Sequence, residues 1–110
     1  MGTAEFRLAG GAGVVTMPAE IDVSNAGEIR QALRAALSHD IAVLVIDMSE
    51  TTFCDSAGVH VIIAAYRRAA ATGIGLRLAA TTVLRVFTLV GVDQLIPMYP
   101  TLEAALAAQA

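Results

Sequence analysis

The sequence predicts an α/β domain built on a mainly parallel β-sheet that opens with an antiparallel hairpin. Hydrophobic residues make up 56% of the chain and charged residues only 15%, so most of each helix and strand must be covered by another element. After two opening strands, strand-like and helix-like segments alternate in the order β-β-α-β-α-β-α-β-α, which requires crossovers and a mainly parallel sheet. We expect the 110 residues to form a single domain, 1–110.

The opening hairpin is predicted from two short apolar runs separated by glycines. Glu5–Leu8 alternates polar and apolar residues, and Val14–Met17 runs back after a Gly-rich turn at 10–13. The turn is interpreted as structural, because it lacks the Gly-Lys-Ser/Thr of a phosphate-binding loop and does not lead into a helix. A loop at Pro18–Asp22 follows the hairpin.

The first helix is predicted to begin at Ser24 or Asn25, either of which can cap it, and to end near residue 38. Asn25 and Glu28 have the spacing of a capping box. Apolar residues recur on one predicted inward face: Ala26, Ile29, Leu33, Ala36 and Leu37. The uniformly apolar run Ile41–Ile46 then predicts a central strand that is covered by helices on both faces.

The second half of the chain predicts three more helices and two more strands. Helical spacing from Ser56 and a stop at Gly73 predict the second helix, and residues 74–79 predict a strand. Thr81 or Thr82 is expected to cap a third helix that ends at Gly91. Its predicted inward residues are Val83, Val86, Phe87 and Val90.

The last two elements are predicted from a proline and a threonine. Pro97 confines the short strand Leu95–Met98 to an edge or an end of the sheet. Thr101 is expected to cap a final helix that runs to about residue 108. The packing stripe of this helix is Leu102, Ala105 and Leu106.

The composition excludes several classes of function. A net charge of −3 without a basic stripe argues against nucleic-acid binding. No apolar run approaches the roughly 20 residues that span a bilayer, so no membrane insertion is expected. The single cysteine, Cys54, is interpreted as a small buried hydrophobe, which suits a reducing, cytoplasmic and soluble setting. Two histidines and one cysteine, well separated, predict neither a metal site nor a cofactor site.

Two stretches carry the polar residues that could form a site. Phe53–Val59 passes from apolar residues through Asp55-Ser56 into a helix, and the loop at 20–22 carries two carboxylates, Glu20 and Asp22. In a parallel sheet, sites collect beyond the carboxyl ends of the strands. Both stretches fall at that end, so we expect them to lie together.

Ser56 admits three interpretations from its residues alone. Cys54–Gly58 half-resembles the Gly-x-Ser-x-Gly elbow of hydrolases, but the first glycine is missing and no histidine follows His60, so no enzymatic activity is expected. Ser56 or Asp55 can simply cap the helix. A phosphate on Ser56 is also compatible with the helix, since the helix N-terminus favours negative charge.

The segment Asp47–Val59 resembles the signature of the anti-sigma factor antagonist family, the bacterial STAS domains. That signature consists of an apolar strand followed by Asp-x-Ser, then a short linker, then Asp-Ser-Ser/Thr-Gly at the start of a helix. The Glu20-Ile21-Asp22 loop matches the second signature of the family. The resemblance implies a STAS-like fold and a switch. In that family the unphosphorylated protein binds an anti-sigma factor, usually one with a serine-kinase domain, and thereby releases the sigma factor. By this resemblance, phosphorylation of Ser56 is expected to end binding until a serine phosphatase restores it.

The resemblance also assigns a partner-binding surface. Its expected residues are Glu20, Asp22, Ser24, Asp55, Ser56, Ala57, Gly58 and His60. The chain departs from the family pattern at three places: Ala57 replaces Ser or Thr, Ala19 stands where Gly commonly precedes the acidic loop, and Val59-His60 replaces Leu-Gly. Two alternatives remain open: a STAS docking subunit of another system, such as a lipid-transport complex, without phospho-switching, and a nucleotide-binding version of the domain.

Overall fold

A computed structural model of the protein describes residues 3–108, so the two outermost residues at each end of the predicted domain, 1–110, lie outside the described range. The strands are β1 Glu5–Ala9, β2 Ala12–Thr16, β3 Glu20–Ile21, β4 Val43–Met48, β5 Phe53–Cys54, β6 Gly75–Ala80 and β7 Met98–Tyr99. The helices are α1 Ala26–Ala36, α2 Ser56–Thr72, α3 Leu84–Leu89 and α4 Leu102–Ala107, with a short 3-10 helix at Val92–Gln94.

Five of these strands form the main sheet, in the order β1-β2-β4-β6-β7. The β1–β2 hairpin is antiparallel, and all other neighbours in this sheet are parallel. The predicted fold class is confirmed. The central strand is the predicted one, shifted by two residues to Val43–Met48.

Helices cover both faces of the sheet, as the apolar run of the central strand predicts. Leu44 and Ile46 point into the larger core, which α1, α2 and α3 complete, while Val45 points into a smaller core that includes Ala105 of α4. All three strand residues are fully buried. Alternate side chains of one strand therefore belong to two separate cores, because side chains point to opposite faces of a sheet.

Helix α1 packs as its sequence predicts, but the buried face of α2 differs from its predicted apolar spacing. The apolar stripe of α1 is buried at Ile29, Leu33, Ala36 and Leu37, and Ala26 is partly buried against it. The predicted apolar spacing of α2 is Val59, Ile62, Ile63, Tyr66 and Ala70, of which only Ile62 is fully buried and Ala70 is exposed; the other buried residues are Gly58, Val61, Ala65 and Ala69. Helix α2 begins at Ser56 and ends at Gly73, whose φ of 78° is the left-handed conformation that glycine adopts at low cost. These two helices lie side by side on the same face of the sheet.

The hairpin turn and the first cap differ from the predictions. The turn is only Gly10-Gly11, and Gly13 lies within β2, where an added Cβ would stand 2.7 Å from Phe6 Cε1. Asn25 is the N-cap residue of α1, but its side chain makes no capping bond to the helix. The capping-box prediction is therefore wrong: the Asn25 side chain bonds to the preceding loop instead.

The third helix is shorter than predicted. It spans Leu84–Leu89 and buries Phe87, with Val83 buried just before it. Val86 and Val90 are 44% and 58% exposed, so their predicted inward position is wrong. Val86 lies within the helix, next to the buried Phe87 but on the exposed side, and Val90 follows the last helical residue. The Thr81 hydroxyl donates to the Pro100 carbonyl and does not cap the helix.

The final helix follows the prediction, whereas the last strand is shifted: the predicted strand Leu95–Met98 shares only Met98 with β7, although its edge position is as predicted. β7 is an edge strand of two residues, and Pro97 precedes it. Thr101 caps α4, its hydroxyl accepting from the Ala104 N–H at 3.0 Å. Arg77 of β6 donates to the Ala105 carbonyl at 2.8 Å, which fixes the helix against the sheet.

Candidate functional site

A two-stranded parallel sheet joins the acidic loop to the start of α2. β3 pairs with β5 in the register Glu20 with Phe53 and Ile21 with Cys54. Beyond the ladder, the Ile21 carbonyl accepts from the Asp55 N–H at 3.1 Å. The residues that precede Asp22 and Ser56 are thus bonded directly to each other, and the expected juxtaposition of the two stretches is present.

Threonine side chains secure the other end of this small sheet. The Thr51 hydroxyl donates to the Pro18 carbonyl at 2.8 Å, and the residue is fully buried. The Ala19 carbonyl accepts from the N–H groups of Thr52 and Phe53 at 2.8 and 3.3 Å. The strand ends are held by both backbone and side chain, which compensates for the shortness of the ladder.

Ser56 is the first residue of α2 and is exposed to solvent. Asp55 caps the helix, its Oδ1 accepting from the Gly58 N–H at 3.2 Å. Because the first N–H groups of a helix lack intrahelical acceptors, those of Ser56 and Ala57 have no partner within α2. Among the described residues a positive φ occurs only at glycines, so Ser56 lacks the strained backbone of a nucleophile elbow.

Gly58 lets the helix start lie directly on the small sheet. A Cβ at this position would stand 2.4 Å from Cys54 Sγ and 2.8 Å from Ile21 Cγ2, below any ordinary contact. Ile21 belongs to the main core and is 1% exposed. A glycine is required here because the backbone of α2 touches side chains of β3 and β5.

The Asp22 loop is held rigid by its own hydrogen bonds. The carboxylate Oδ1 of Asp22 accepts from both the hydroxyl and the N–H of Ser24. These two hydrogen bonds lower the pKa of Asp22, because they favour its charged form; the bond from the Ser24 hydroxyl has the larger effect. Asn25 closes the loop, accepting from the Asp22 N–H at 3.0 Å and donating to the Glu20 carbonyl at 2.8 Å.

Cys54 is half-buried between Gly58 and Ile21. Burial, and to a lesser degree the charge of Asp55, raises the pKa of its thiol to about 11. A thiol with a raised pKa is a poor nucleophile at neutral pH, because the reactive form is the thiolate. Cys54 therefore acts as a packing residue.

The remaining predicted site residues differ in their exposure to solvent. Glu20, Ser24 and His60 are exposed, Asp22, Asp55 and Ala57 are half-buried, and Gly58 is buried. His60 follows Ser56 by four residues and so lies on the same face of α2, one turn along. The acidic loop and the start of α2, which carry these eight residues, are joined by the β3–β5 pairing and by the hydrogen bond from the Asp55 N–H to the Ile21 carbonyl.

Two apolar residues at this surface were missed by the sequence analysis. Phe53 is 50% exposed and Val23 is 81% exposed. Phe53 is the ladder partner of Glu20, and Val23 lies between Asp22 and Ser24 in the acidic loop. Exposed apolar side chains within a polar rim are a feature of protein-binding surfaces. In the sequence, each is an apolar residue in a short loop or a two-residue strand. Such a short segment shows no periodicity from which the exposure of its side chain could be predicted.

The site suits recognition by another protein. No group of three His, Cys, Asp or Glu side chains in residues 3–108 could hold a metal ion. Over the same range, no helix is both long and apolar enough to cross a membrane. What remains is an exposed hydroxyl at a helix N-terminus, flanked by carboxylates and two apolar side chains.

Comparison with known proteins agrees with this geometry. An anti-sigma factor antagonist from Mycobacterium paratuberculosis has 33% sequence identity and a TM-score of 0.82, over 94% of this chain and 90% of that one. An anti-sigma-factor antagonist (STAS) domain protein from Planctomyces limnophilus is 19% identical with a TM-score of 0.86, over 100% and 99% of the two chains. The Bacillus cell fate determinant SpoIIAA in its phosphorylated form is 19% identical with a TM-score of 0.70, over 94% and 96%.

The comparison with curated proteins finds no match. The family model of the STAS domain matches residues 3–105, which is nearly the whole chain. The chain therefore belongs to the STAS domain family.

Proposed function

We propose that this protein is an anti-sigma factor antagonist that is switched by phosphorylation of Ser56. The unphosphorylated form binds an anti-sigma factor with a serine-kinase domain in the cytoplasm and so releases the sigma factor. The kinase domain then phosphorylates Ser56, binding is lost, and a serine phosphatase restores it. The observation that carries the proposal is the exposed Ser56 at the start of α2, beside the hydrogen-bonded Asp22 loop.

Ser56 has the surroundings of a phosphate acceptor. Its side chain is exposed, and the N–H groups of Ser56 and Ala57 have no acceptor within the helix. A phosphate there receives hydrogen bonds and the favourable end of the helix dipole, so α2 stays folded. The small side chain of Ala57 leaves room for a kinase active site and removes a competing hydroxyl.

The charge change explains how binding is lost. Phosphorylation adds about −1.5 to −2 charges at pH 7 to a surface that already carries Asp55, Asp22 and Glu20. A partner docked on the unmodified surface would then face a desolvation cost and, where it is acidic, repulsion. The Bacillus relative is known in a phosphorylated form, and the relative at 33% identity is an anti-sigma factor antagonist; both support the proposal.

The partner surface combines these polar residues with apolar anchors. Phe53 and Val23 are the large apolar side chains exposed at the β3–β5 sheet. Aromatic residues in a polar rim supply much of the binding energy of protein interfaces. We expect the anti-sigma factor to cover Phe53 together with Ser56.

The test is phosphorylation by candidate partners. The protein is incubated with kinase-type anti-sigma factors and ATP, and the modified residue is mapped by mass spectrometry. We expect one phosphate on Ser56, none on the variant Ser56→Ala, and unchanged labelling of the control variant Ser38→Ala, whose exposed serine follows α1 and lies outside the expected partner surface. Label elsewhere, or none with any cognate partner, would refute the switch. Recovery of transporter ATPase subunits in a pull-down would instead favour a docking subunit of a transport complex.

A further inference from the structure

A groove between α1 and α2 lies on a different part of the surface from Ser56. Its volume is about 150 Å³, and its floor is apolar. The lining residues are Arg30, Leu33, Arg34 and Leu37 from α1, and Val61, Ala64, Ala65 and Arg68 from α2. Three arginines and no carboxylate therefore surround an apolar floor, in a protein whose net charge is −3.

The arginines of this groove lack acidic neighbours on their own helices. Helix α2 contains no Asp or Glu, and α1 contains only Glu28, which is not three or four residues from Arg30 or Arg34. Arg30 and Arg34 are themselves four residues apart, a spacing at which like charges on a helix repel each other. All three guanidinium-bearing residues are exposed. An anion seated between them would relieve this repulsion.

The size of the groove restricts what can occupy it. Small-molecule sites are usually about 300–1,000 Å³, whereas an apolar cavity of about 150 Å³ holds one benzene-sized group. One Phe or Leu side chain fits this volume. A partner that fits both the apolar floor and the arginines around it presents a single apolar side chain flanked by carboxylates. An amphipathic helix can present these groups on one face when the carboxylates are three and four residues from the apolar side chain.

We propose that the α1–α2 groove is a second docking site, and that its occupant is an acidic amphipathic helix of a partner protein with one large apolar anchor. The anchor enters between Leu33 and Ala64, and carboxylates on either side of it pair with Arg30, Arg34 and Arg68. This site does not depend on the proposed switch. Arg68, the charged residue that α2 contributes to the groove, follows Ser56 by twelve residues, about 18 Å along the helix axis, which exceeds the screening length of about 8–10 Å at physiological salt.

The test uses a synthetic acidic helix and the intact protein. The probe is a peptide of roughly 18 residues, long enough to be helical, with one Phe, Glu three and four residues to either side, and Ala elsewhere. Binding is followed by NMR chemical-shift changes. We expect shifts confined to α1 and α2 around the groove, and loss of roughly tenfold or more in affinity when the Phe of the peptide is replaced by Ala.

Arg67 and Arg68 provide a matched pair of variants. Both are exposed and adjacent on α2, but only Arg68 lines the groove. Arg68→Gln should weaken binding roughly two- to fivefold, and Arg67→Gln should leave it within about twofold. Ala64→Leu fills the groove without changing charge and should weaken binding about tenfold; thermal denaturation confirms that each variant is folded. Ser56→Asp should leave peptide binding within about twofold, whatever its effect on the anti-sigma factor.

Several results would overturn the proposal. Equal effects of the Arg67 and Arg68 variants would show diffuse charge attraction, and shifts centred on Ser56 would show that the peptide uses the other surface. Binding of laurate or inorganic phosphate that depends on Arg68, without binding of the peptide, would identify a small anion as the occupant. Self-association that Arg68→Gln abolishes would identify a second copy of this chain.

Discussion

Replacing Gly58 by alanine tests the contact on which the site is built. The new Cβ would stand 2.4 Å from Cys54 Sγ and 2.8 Å from Ile21 Cγ2. In an open helix the same change stabilises by up to about 1 kcal/mol, because glycine is a poor helix former. Here one of the two neighbours is a core residue of β3 that is 1% exposed and cannot withdraw, so α2 and the small sheet must move apart.

The expected magnitude follows from these opposing effects. Overpacking a close contact costs about 1–3 kcal/mol, and a distance as short as 2.4 Å places Gly58→Ala in the upper part of that range. After the gain in helix propensity, we expect a net loss of about 1–2 kcal/mol. For a chain of 110 residues this lowers the midpoint of thermal unfolding by roughly 4–8 °C.

Gly27→Ala is the matched control, measured by urea and thermal unfolding under circular dichroism. Gly27 is also helical, but an added Cβ there meets nothing within 4 Å. We expect Gly27→Ala to stabilise the protein by about 0.5–1 kcal/mol. Cys54→Ala should rescue part of the loss in Gly58→Ala, because it removes the nearest atom. The reasoning fails if Gly58→Ala is as stable as the wild type, or if the two glycine variants change stability alike.

Three further predictions concern the same region. Ser56→Asp should weaken binding to the anti-sigma factor at least about tenfold and leave the unfolding midpoint within about 2 °C of wild type; a large drop in the midpoint would make Ser56 a structural residue. Thr51→Val removes a buried hydrogen bond to the Pro18 carbonyl and should cost about 1–3 kcal/mol, whereas the exposed control Thr52→Val should cost less than about 1 kcal/mol. Because the pKa of Cys54 is raised from 9.0 to about 11, its contribution to stability is full below pH 9 and is lost as the pH rises through 11. Urea unfolding across this range should show the decline in the wild type and a smaller one in Cys54→Ala.

The sequence predicts the site where its signals are local and strong. Helix α2 begins at Ser56 and ends at Gly73 as predicted, because a capping carboxylate and a left-handed glycine each act over a few residues. The central strand is identified by its uniformly apolar run. The meeting of the acidic loop and the helix start follows from the topology alone, since both come after strands that end at the same edge.

What the sequence does not predict depends on contacts between distant segments. β3 and β5 have two residues each, too few for any periodicity, and their pairing is set by the tertiary structure. Asn25 has the sequence of a capping box, yet its side chain satisfies the Glu20 and Asp22 backbone, which competes for the same groups. Val86 and Val90 have helical spacing, but α3 turns only Phe87 into the core: Val86 lies on its exposed side and Val90 follows its last residue.

The central claim is that phosphate on Ser56 ends partner binding, and calorimetry tests it most directly. The protein is phosphorylated by its kinase-type anti-sigma factor, and both forms are titrated with that factor without ATP. We predict that the phosphorylated form binds at least about tenfold more weakly and that phosphatase treatment restores the affinity. Equal affinities of the two forms would contradict the account.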